Sequence, residues 1–359
     1  MSTTKRKFNL GMARFSGLYV WGIFIIIFAI WVPKYFLTMA TASSIASAQV
    51  VTGVMAFAVM IPLIAGVFDL SVGSSAIMGS IFSVSFQTQY HMNMWLSIVL
   101  TILIGLGIGL INGFVVVKLH VNSFIATLGM GSIVIALVTW ECGGLQPLLP
   151  TSLTWGNLTQ AFFGGGFQVG IFYLVALAFL LWWVLSFTPA GRYLFAIGSN
   201  SEAARLSGVS ADFWIWSSLA CSGFLAGFAG VLFSSQTGPS LSFGSGLLLP
   251  AFAAVFLGST QLTPGRFNVW GTLLAIFVLA TGVQGLQFVI QAPWLDGLFN
   301  GVALIAAVAF AVSRQRSEGK RKDIKQNEMV TIESPSSLDE SPSVELNEAL
   351  NHAAGSGAE

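Results

Sequence analysis

GSNSEAARLSGV, residues Gly198–Val209, is a short polar island in a very apolar chain. It separates two apolar runs, 168–187 and 213–235, each long enough for a bilayer crossing, which takes about 20 such residues. The island reads as a small surface helix. Ser199 or Asn200 offers the side-chain oxygen that caps free amides at a helix start, and Gly208 offers a left-handed stop. The candidate docking residues are Asn200, Ser201, Glu202, Ala203, Ala204, Arg205, Leu206 and Gly208. Ala203, Ala204 and Leu206 form a small apolar face, while Glu202 and Arg205 are free to meet a partner. Thr188-Pro189-Ala190-Gly191-Arg192 closes the preceding run and aims the chain outward. A capped helix on the face of a membrane protein is a contact point for something soluble. An ordinary solvated loop is the plainer alternative.

Outward from the island, composition sets the class. The 359 residues are 55% hydrophobic and 8% charged, against roughly 25% charged in soluble domains, so the chain is read as a membrane protein. Ten segments are long or apolar enough to be spans: 17–37, 45–66, 71–88, 96–117, 124–140, 168–187, 213–235, 247–260, 269–290 and 294–312. The expected fold is all-α and polytopic, with about ten transmembrane helices, some short or broken. The third segment is rich in Ser and Gly and the eighth carries Pro250, the pattern of interrupted helices lining a cavity. Trp21, Trp31, Trp95, Trp140 and Trp294 fall near span ends, as interfacial aromatics do.

Basic residues set the orientation. With the N-terminus inside, Lys5, Arg6, Lys7, Arg14, Lys118, His120, Arg192, Arg205, Arg266, Arg314 and Arg316 lie on inner connections, and Lys34 alone on an outer one. Ten spans then place both termini in the cytoplasm. Residues 1–16 are a cytoplasmic N-terminal segment, 17–312 the transmembrane domain with its island loop at 188–212, and 313–359 a disordered cytoplasmic tail. Residues 1–312 hold 9 Lys/Arg and 5 Asp/Glu, whereas 313–359 hold 6 and 9. The tail begins basic, against anionic headgroups, then turns acidic and Ser-rich, unable to bury a core. Lys5–Lys7 before an apolar run, with Ala46-Ser47-Ala48 beyond, imitates a secretory signal, but the run is long for one and is read as a retained helix. Residues 141–167 form the longest outer connection; its sequon, Asn157-Leu158-Thr159, is read as chance.

No catalytic engine is visible. The chain has no phosphate-binding loop of the G-x-x-x-x-G-K-[ST] type, no H-E-x-x-H and no G-x-S-x-G. Cys142 and Cys221 form no pair motif, and His91, His120 and His352 are scattered, so neither a metal site nor a disulfide framework is expected. Intramembrane charge marks ion coupling, and here it is nearly absent. Asp69 and Asp296 stand at the starts of the third and tenth segments and read as carboxylates favoured by helix dipoles. Energy must therefore come from another chain. Gln49, Ser71, Ser74, Ser75, Asn112 and Gln284 are the polar candidates for a substrate pathway, although such groups often bond a neighbouring helix instead.

Four stretches, in order, resemble the membrane permeases of bacterial ATP-binding-cassette importers for monosaccharides, the ribose/xylose/arabinose/galactose type. They are Phe68–Ser74 (FDLSVGS); Gly109–Gly113 with Val121–Gly129; Gly191–Val209; and Ala251–Thr260 with Gly265 and Gly271–Leu273. The resemblance covers about residues 45–312. It implies a pathway made with a second permease copy or a sister chain, ATPase subunits gripping the 200–207 helix, and a periplasmic sugar-binding protein delivering the cargo. ATP and Mg would sit on the partner ATPase, with no cofactor on this chain. It also implies residence in the bacterial inner membrane and no nucleic-acid partner. The chain departs from the pattern at Leu247-Leu248-Leu249-Pro250, where the family often carries an acidic residue, and at Gly258-Ser259 in place of paired glycines. These departures bear on the substrate, toward a different polyol or a deoxy sugar, more than on the fold. A stand-alone facilitator or secondary carrier of a small polar solute is the alternative; it leaves the capped island idle. A membrane-embedded enzyme lacks a catalytic constellation.

Overall fold

The computed structural model describes residues 15–309, except 151, 164–165 and 293. The chain divides into Met1–Ala311 and Val312–Glu359, and all described residues belong to the first unit. The expectations for residues 1–14 and for the tail lie outside the described residues.

Helices account for 79% of the described residues. In chain order they are α1 (Ser16–Trp31), α2 (Pro33–Phe36), α3 (Met39–Ile64), α4 (Val72–Thr88), α5 (Met94–Val117), α6 (Ser123–Glu141) and α7 (Leu153–Gln160). A two-residue hairpin, β1 (Phe162–Phe163) with β2 (Phe167–Gln168), precedes α8 (Val169–Phe187). Then come α9 (Pro189–Ser199), α10 (Ser201–Leu206), α11 (Ala211–Thr237), α12 (Phe243–Ser259), α13 (Val269–Ile290) and α14 (Leu295–Ala309). Six of these, α3, α5, α6, α8, α11 and α13, are long and apolar enough to cross a membrane. The other four expected segments hold the shorter helices α1, α4, α12 and α14.

Two expectations about continuity change. The third and eighth segments are short but unbroken: α4 and α12 each run 17 residues, α12 straight through Pro250. The break falls instead in the first segment. Val32 leaves helical geometry (φ −135°, ψ 55°) and Pro33 starts α2, because proline suits a first helical position. The long connection after α6 is also less irregular than expected. Ser152 caps α7, whose Trp155 is buried among Val84, Ile98 and Val231 and donates its indole N–H to the Ser234 carbonyl at 3.3 Å. Thr159 of the sequon is buried and shares a 2.9 Å hydrogen bond with Ser235, so its hydroxyl serves packing.

α3 is the buried axis. Its apolar side chains from Val50 to Ile64 form the main core with Leu174, Leu225, Ala229, Ala251 and Ile276 from α8, α11, α12 and α13. Beside it α4, α5 and α11 meet backbone to backbone. A Cβ placed on Gly79 would lie 2.5 Å from the Gly227 carbonyl, and one on Gly105 would lie 2.5 Å from that of Gly223. Small residues at helix crossings are the usual device for close packing in lipid, where no hydrophobic force pulls helices together. This seam explains why α4 is rich in Gly and Ser yet wholly internal. By contrast α6 and α8 expose most of their apolar surface, with 17% and 22% of their spanning windows buried.

The connections gather at two ends. Residues 65–71, 118–122, 188–210 and 260–268 meet at one: Phe68 N–H donates to Ser123 Oγ at 3.1 Å, and the Arg266 guanidinium lies 4.2 Å from the Phe195 ring centroid. This basic end carries Lys118, His120, Arg192, Arg205 and Arg266. The opposite end holds α2, α7 and the hairpin, tied by Ser43 to the Gly166 carbonyl and by Gln236 to the Ser47 carbonyl.

Candidate functional site

Two constructions carry chemistry: the polar island at the basic end, and a cleft toward the opposite end.

The island holds one short helix, α10, as expected, and a second helix, α9, leads into it. Thr188 ends α8, and Pro189 opens α9. The turn is tight because Gly191 presses on the Leu185 carbonyl, leaving no room for a side chain. Asn200, not Ser199, caps α10: its Oδ1 accepts from Glu202 N–H at 3.1 Å and Ala203 N–H at 3.0 Å. Ser199 Oγ bonds back to the Phe195 carbonyl. The far end closes on Gly208 (φ 82°), with Val209 N–H on the Ala204 carbonyl and Gly208 N–H on that of Arg205, the six-to-one and five-to-two pattern that satisfies the last carbonyls of a helix.

The expected apolar face is divided. Ala204 packs inward with Ile197 and Ala211, whereas Ala203 and Leu206 point out, Leu206 with 87% of its surface exposed. Arg205 is not free as expected. It pairs with Asp212 in the first turn of α11, which ties α10 to the next span. Ser201 and Glu202 are exposed, and Glu202 has no charged partner among the described residues. Gly198 meets the backbone at Ile64 and Gly66, where α3 ends, so the island is seated on the buried axis.

The four stretches that carry the family resemblance converge at this end. Leu70 N–H donates to Thr127 Oγ1 at 3.0 Å, joining the first stretch to the second. Asp69 and Ser71, ahead of α4, meet Asn112 of α5. Asp69 Oδ1 accepts from Ser71 N–H at 3.0 Å and Ser71 Oγ at 2.6 Å, and Ser71 Oγ accepts from Asn112 Nδ2 at 2.8 Å. Asp69 is fully buried, which a helix-start carboxylate in water is not. Ser74 Oγ donates to the Ser71 carbonyl, and Ser75 Oγ is buried with no hydrogen-bond partner among the described residues.

The cleft opens between α3, α12, α13 and α14, with a volume of about 190 Å³. That is below the roughly 300–1,000 Å³ of pockets for drug-sized ligands, and it suits a small solute. Its polar walls are Gln49 and Thr52 from α3, Gln284 and Gln287 from α13, and Asp296 and Asn300 from α14. Gln287 Nε2 donates to Asp296 Oδ1 at 2.7 Å. Among the described residues, no Lys, Arg or His lines it. Leu247 and Pro250, from the stretch where the resemblance leads one to expect an acidic residue, face the same cleft as Asp296.

The six polar pathway candidates are thus split. Gln49 and Gln284 line the cleft; Ser71, Ser74, Ser75 and Asn112 lie in or beside the sealed knot around Asp69. Thr52, Gln287, Asp296 and Asn300 were not among them. Their signal was faint but present: Gln284 and Gln287 share one face of a helix, spaced by three, and an acidic residue three after the span break sits opposite them.

Residues 41–308 match the family described as "Branched-chain amino acid transport system / permease component". The chain is similar to the fructose import permease protein FrcC of Rhizobium meliloti, 28% identical over 79% of this chain and 81% of that one. It is similar to the galactose/methyl galactoside import permease protein MglC of Escherichia coli, 28% identical over 86% and 97%. It is also similar to the autoinducer 2 import system permease protein LsrD of Yersinia enterocolitica, 30% identical over 71% and 78%.

Proposed function

From the premise that this chain belongs to that permease family, and is a multi-pass membrane protein, we propose that it imports a monosaccharide or related polyol as the membrane subunit of an ATP-driven transporter. Counting α1, α4, α12 and α14 as crossings gives ten; α4, at 17 residues, spans ~26 Å. Both termini then face the cytoplasm, the basic end is the inner one, and the protein resides in the bacterial inner membrane. A separate ATPase binds ATP and Mg and docks on α10 through Ser201, Glu202, Ala203 and Leu206. A periplasmic sugar-binding protein delivers the cargo at the opposite end, and a second permease copy or sister chain completes the pathway.

The observation that carries the choice of cargo is the lining of the cleft. Amides donate to hydroxyls and accept from them, and the carboxylate accepts, so a hydroxyl is met in either role. An amino acid would bring a carboxylate of its own and an apolar side chain, and the described lining of the cleft offers no cation to receive the first. Asp296 supplies, from α14, the acidic group missing at 247–250. Docking turns on the seat of Gly198 against the end of α3: motion of α10 passes into the buried axis and so toward the cleft, a two-state element biased from both ends.

The test is uptake by cells expressing the chain with its neighbouring ATPase and binding protein. Labelled pentoses and hexoses should accumulate and leucine should not, and ATP depletion should stop the uptake. Leucine accumulation would replace the sugar reading. Uptake that persists without ATP would favour a stand-alone facilitator. Glu202→Lys should abolish accumulation while membrane insertion is unchanged, because the side chain has no charged partner to lose.

A further inference from the structure

A second crevice opens at the basic end between α8, α9 and the α12–α13 connection, with a volume of about 570 Å³. Arg192 and Arg266 both line it, and among the described residues no acidic one does. Neither guanidinium has a carboxylate partner among the described residues. Both are mounted on braced backbone. Arg192 follows the Gly191 contact that folds α9 against α8. Arg266 sits in a connection held by the Asn268 side chain, whose Nδ2 donates to the carbonyls of Gly258, Gln261 and Arg266 while its Oδ1 accepts from Gly271 N–H. The Arg266 guanidinium lies 4.2 Å from the Phe195 ring centroid, a contact that leaves its charge unneutralised, and guanidinium is the side chain that receives phosphate in a bidentate manner. The Ser186 and Thr263 hydroxyls are on the same walls.

The remaining lining places this crevice at the membrane boundary. Trp182 and Trp270 flank it and belong to a ring cluster with Phe179 and Phe187: Phe179 and Trp270 are 4.9 Å apart, Trp182 and Phe187 5.2 Å. Tryptophans gather where hydrocarbon meets headgroups. α8, the helix beside it, is largely uncovered and apolar. A ligand bound here has an anionic part for two arginines and an apolar part for the α8 surface.

We infer that this crevice binds the phosphate headgroup of an anionic phospholipid, with its acyl chains lying along α8. Basic pockets between helices at the inner boundary are suited to such headgroups. The inference rests on the proposed orientation, which puts the basic end at the inner boundary; it does not depend on the cargo, so either can fail alone.

The full-length chain is reconstituted in phosphatidylcholine vesicles, with and without phosphatidylglycerol, and labelled with photoreactive analogues of each lipid. The phosphatidylglycerol probe should label residues 182–195 and 262–270 at least about tenfold more than the phosphatidylcholine probe, the scale of two arginines at a membrane surface. The double variant Arg192→Gln/Arg266→Gln should lose that preference. Equal labelling by the two probes, or labelling spread along all lipid-facing helices, would overturn the site. Competition by millimolar inorganic phosphate would also overturn it, by showing a water-borne anion as the ligand. If the double variant fails to insert, the labelling pattern of the unmodified chain decides by itself.

Discussion

The knot around Asp69 and the cleft around Asp296 use the same side chains, a carboxylate, an amide and hydroxyls, in the same apolar bundle. At the knot, Asp69, Ser71 and Asn112 are sealed at 0–1% exposure and bond one another across α4 and α5. Ser222 of α11 stands by the same carboxylate, and Asn112 Oδ1 is buried with no hydrogen-bond partner among the described residues. In the cleft, Gln284, Gln287 and Asp296 face a cavity, and the one bond among them is exposed. Polar groups of the first kind hold helices together and are costly when disturbed. Those of the second kind cost little structurally and are available to a passing solute. Identity of residue does not separate the two; access to a cavity does.

The largest effect that sharpens this contrast is Asn112→Leu. It removes the donor to Ser71 from a buried network and should lower stability by about 2 kcal/mol, the usual penalty for a buried group left unpaired. A clear fall in the detergent unfolding midpoint is the readout; an unchanged midpoint would mean the knot is not structural. Next comes Gln284→Leu in the cleft. Uptake should fall about tenfold, the effect of losing a single hydrogen bond to the solute, while stability changes by less than ~0.5 kcal/mol. If both properties fall together, the cleft belongs with the knot and the comparison breaks. The smallest effect is Ser75→Ala. Its hydroxyl is buried and unpartnered, so removal should be neutral or stabilising by up to ~1 kcal/mol. A loss of transport without loss of stability would place Ser75 on the pathway instead.

Much of the architecture was readable because bilayer length and hydropathy leave few choices: each of the ten apolar segments contains a helix. What could not be read depended on contacts distant in sequence. α7 lies in a connection full of Gly and Pro and is held by Trp155 inserting against α4 and α11, which no local pattern announces. The division of Ser71 and Asn112 from Gln49 and Gln284 is likewise tertiary. Arg205 looked available because Asp212 stands seven residues away, beyond one turn of α10, yet the turn at Gly208 brings them together. Asp296 fitted a helix-dipole reading and does begin α14, but its position opposite Gln287 emerges only once the two helices pack.

The glycine seam has a consequence for motion. Where Gly79 rests on Gly227 and Gly105 on Gly223, main chain touches main chain, and no rotamer stands between them to change. α4, α5 and α11 therefore travel as a single rigid plate. α12 is fixed to that plate where Gly244 meets Gly73, and to α13 where Gly258 meets Gly271, so the give around the cleft is left to α14, which rests on α13 through the Phe299 ring at Gly282.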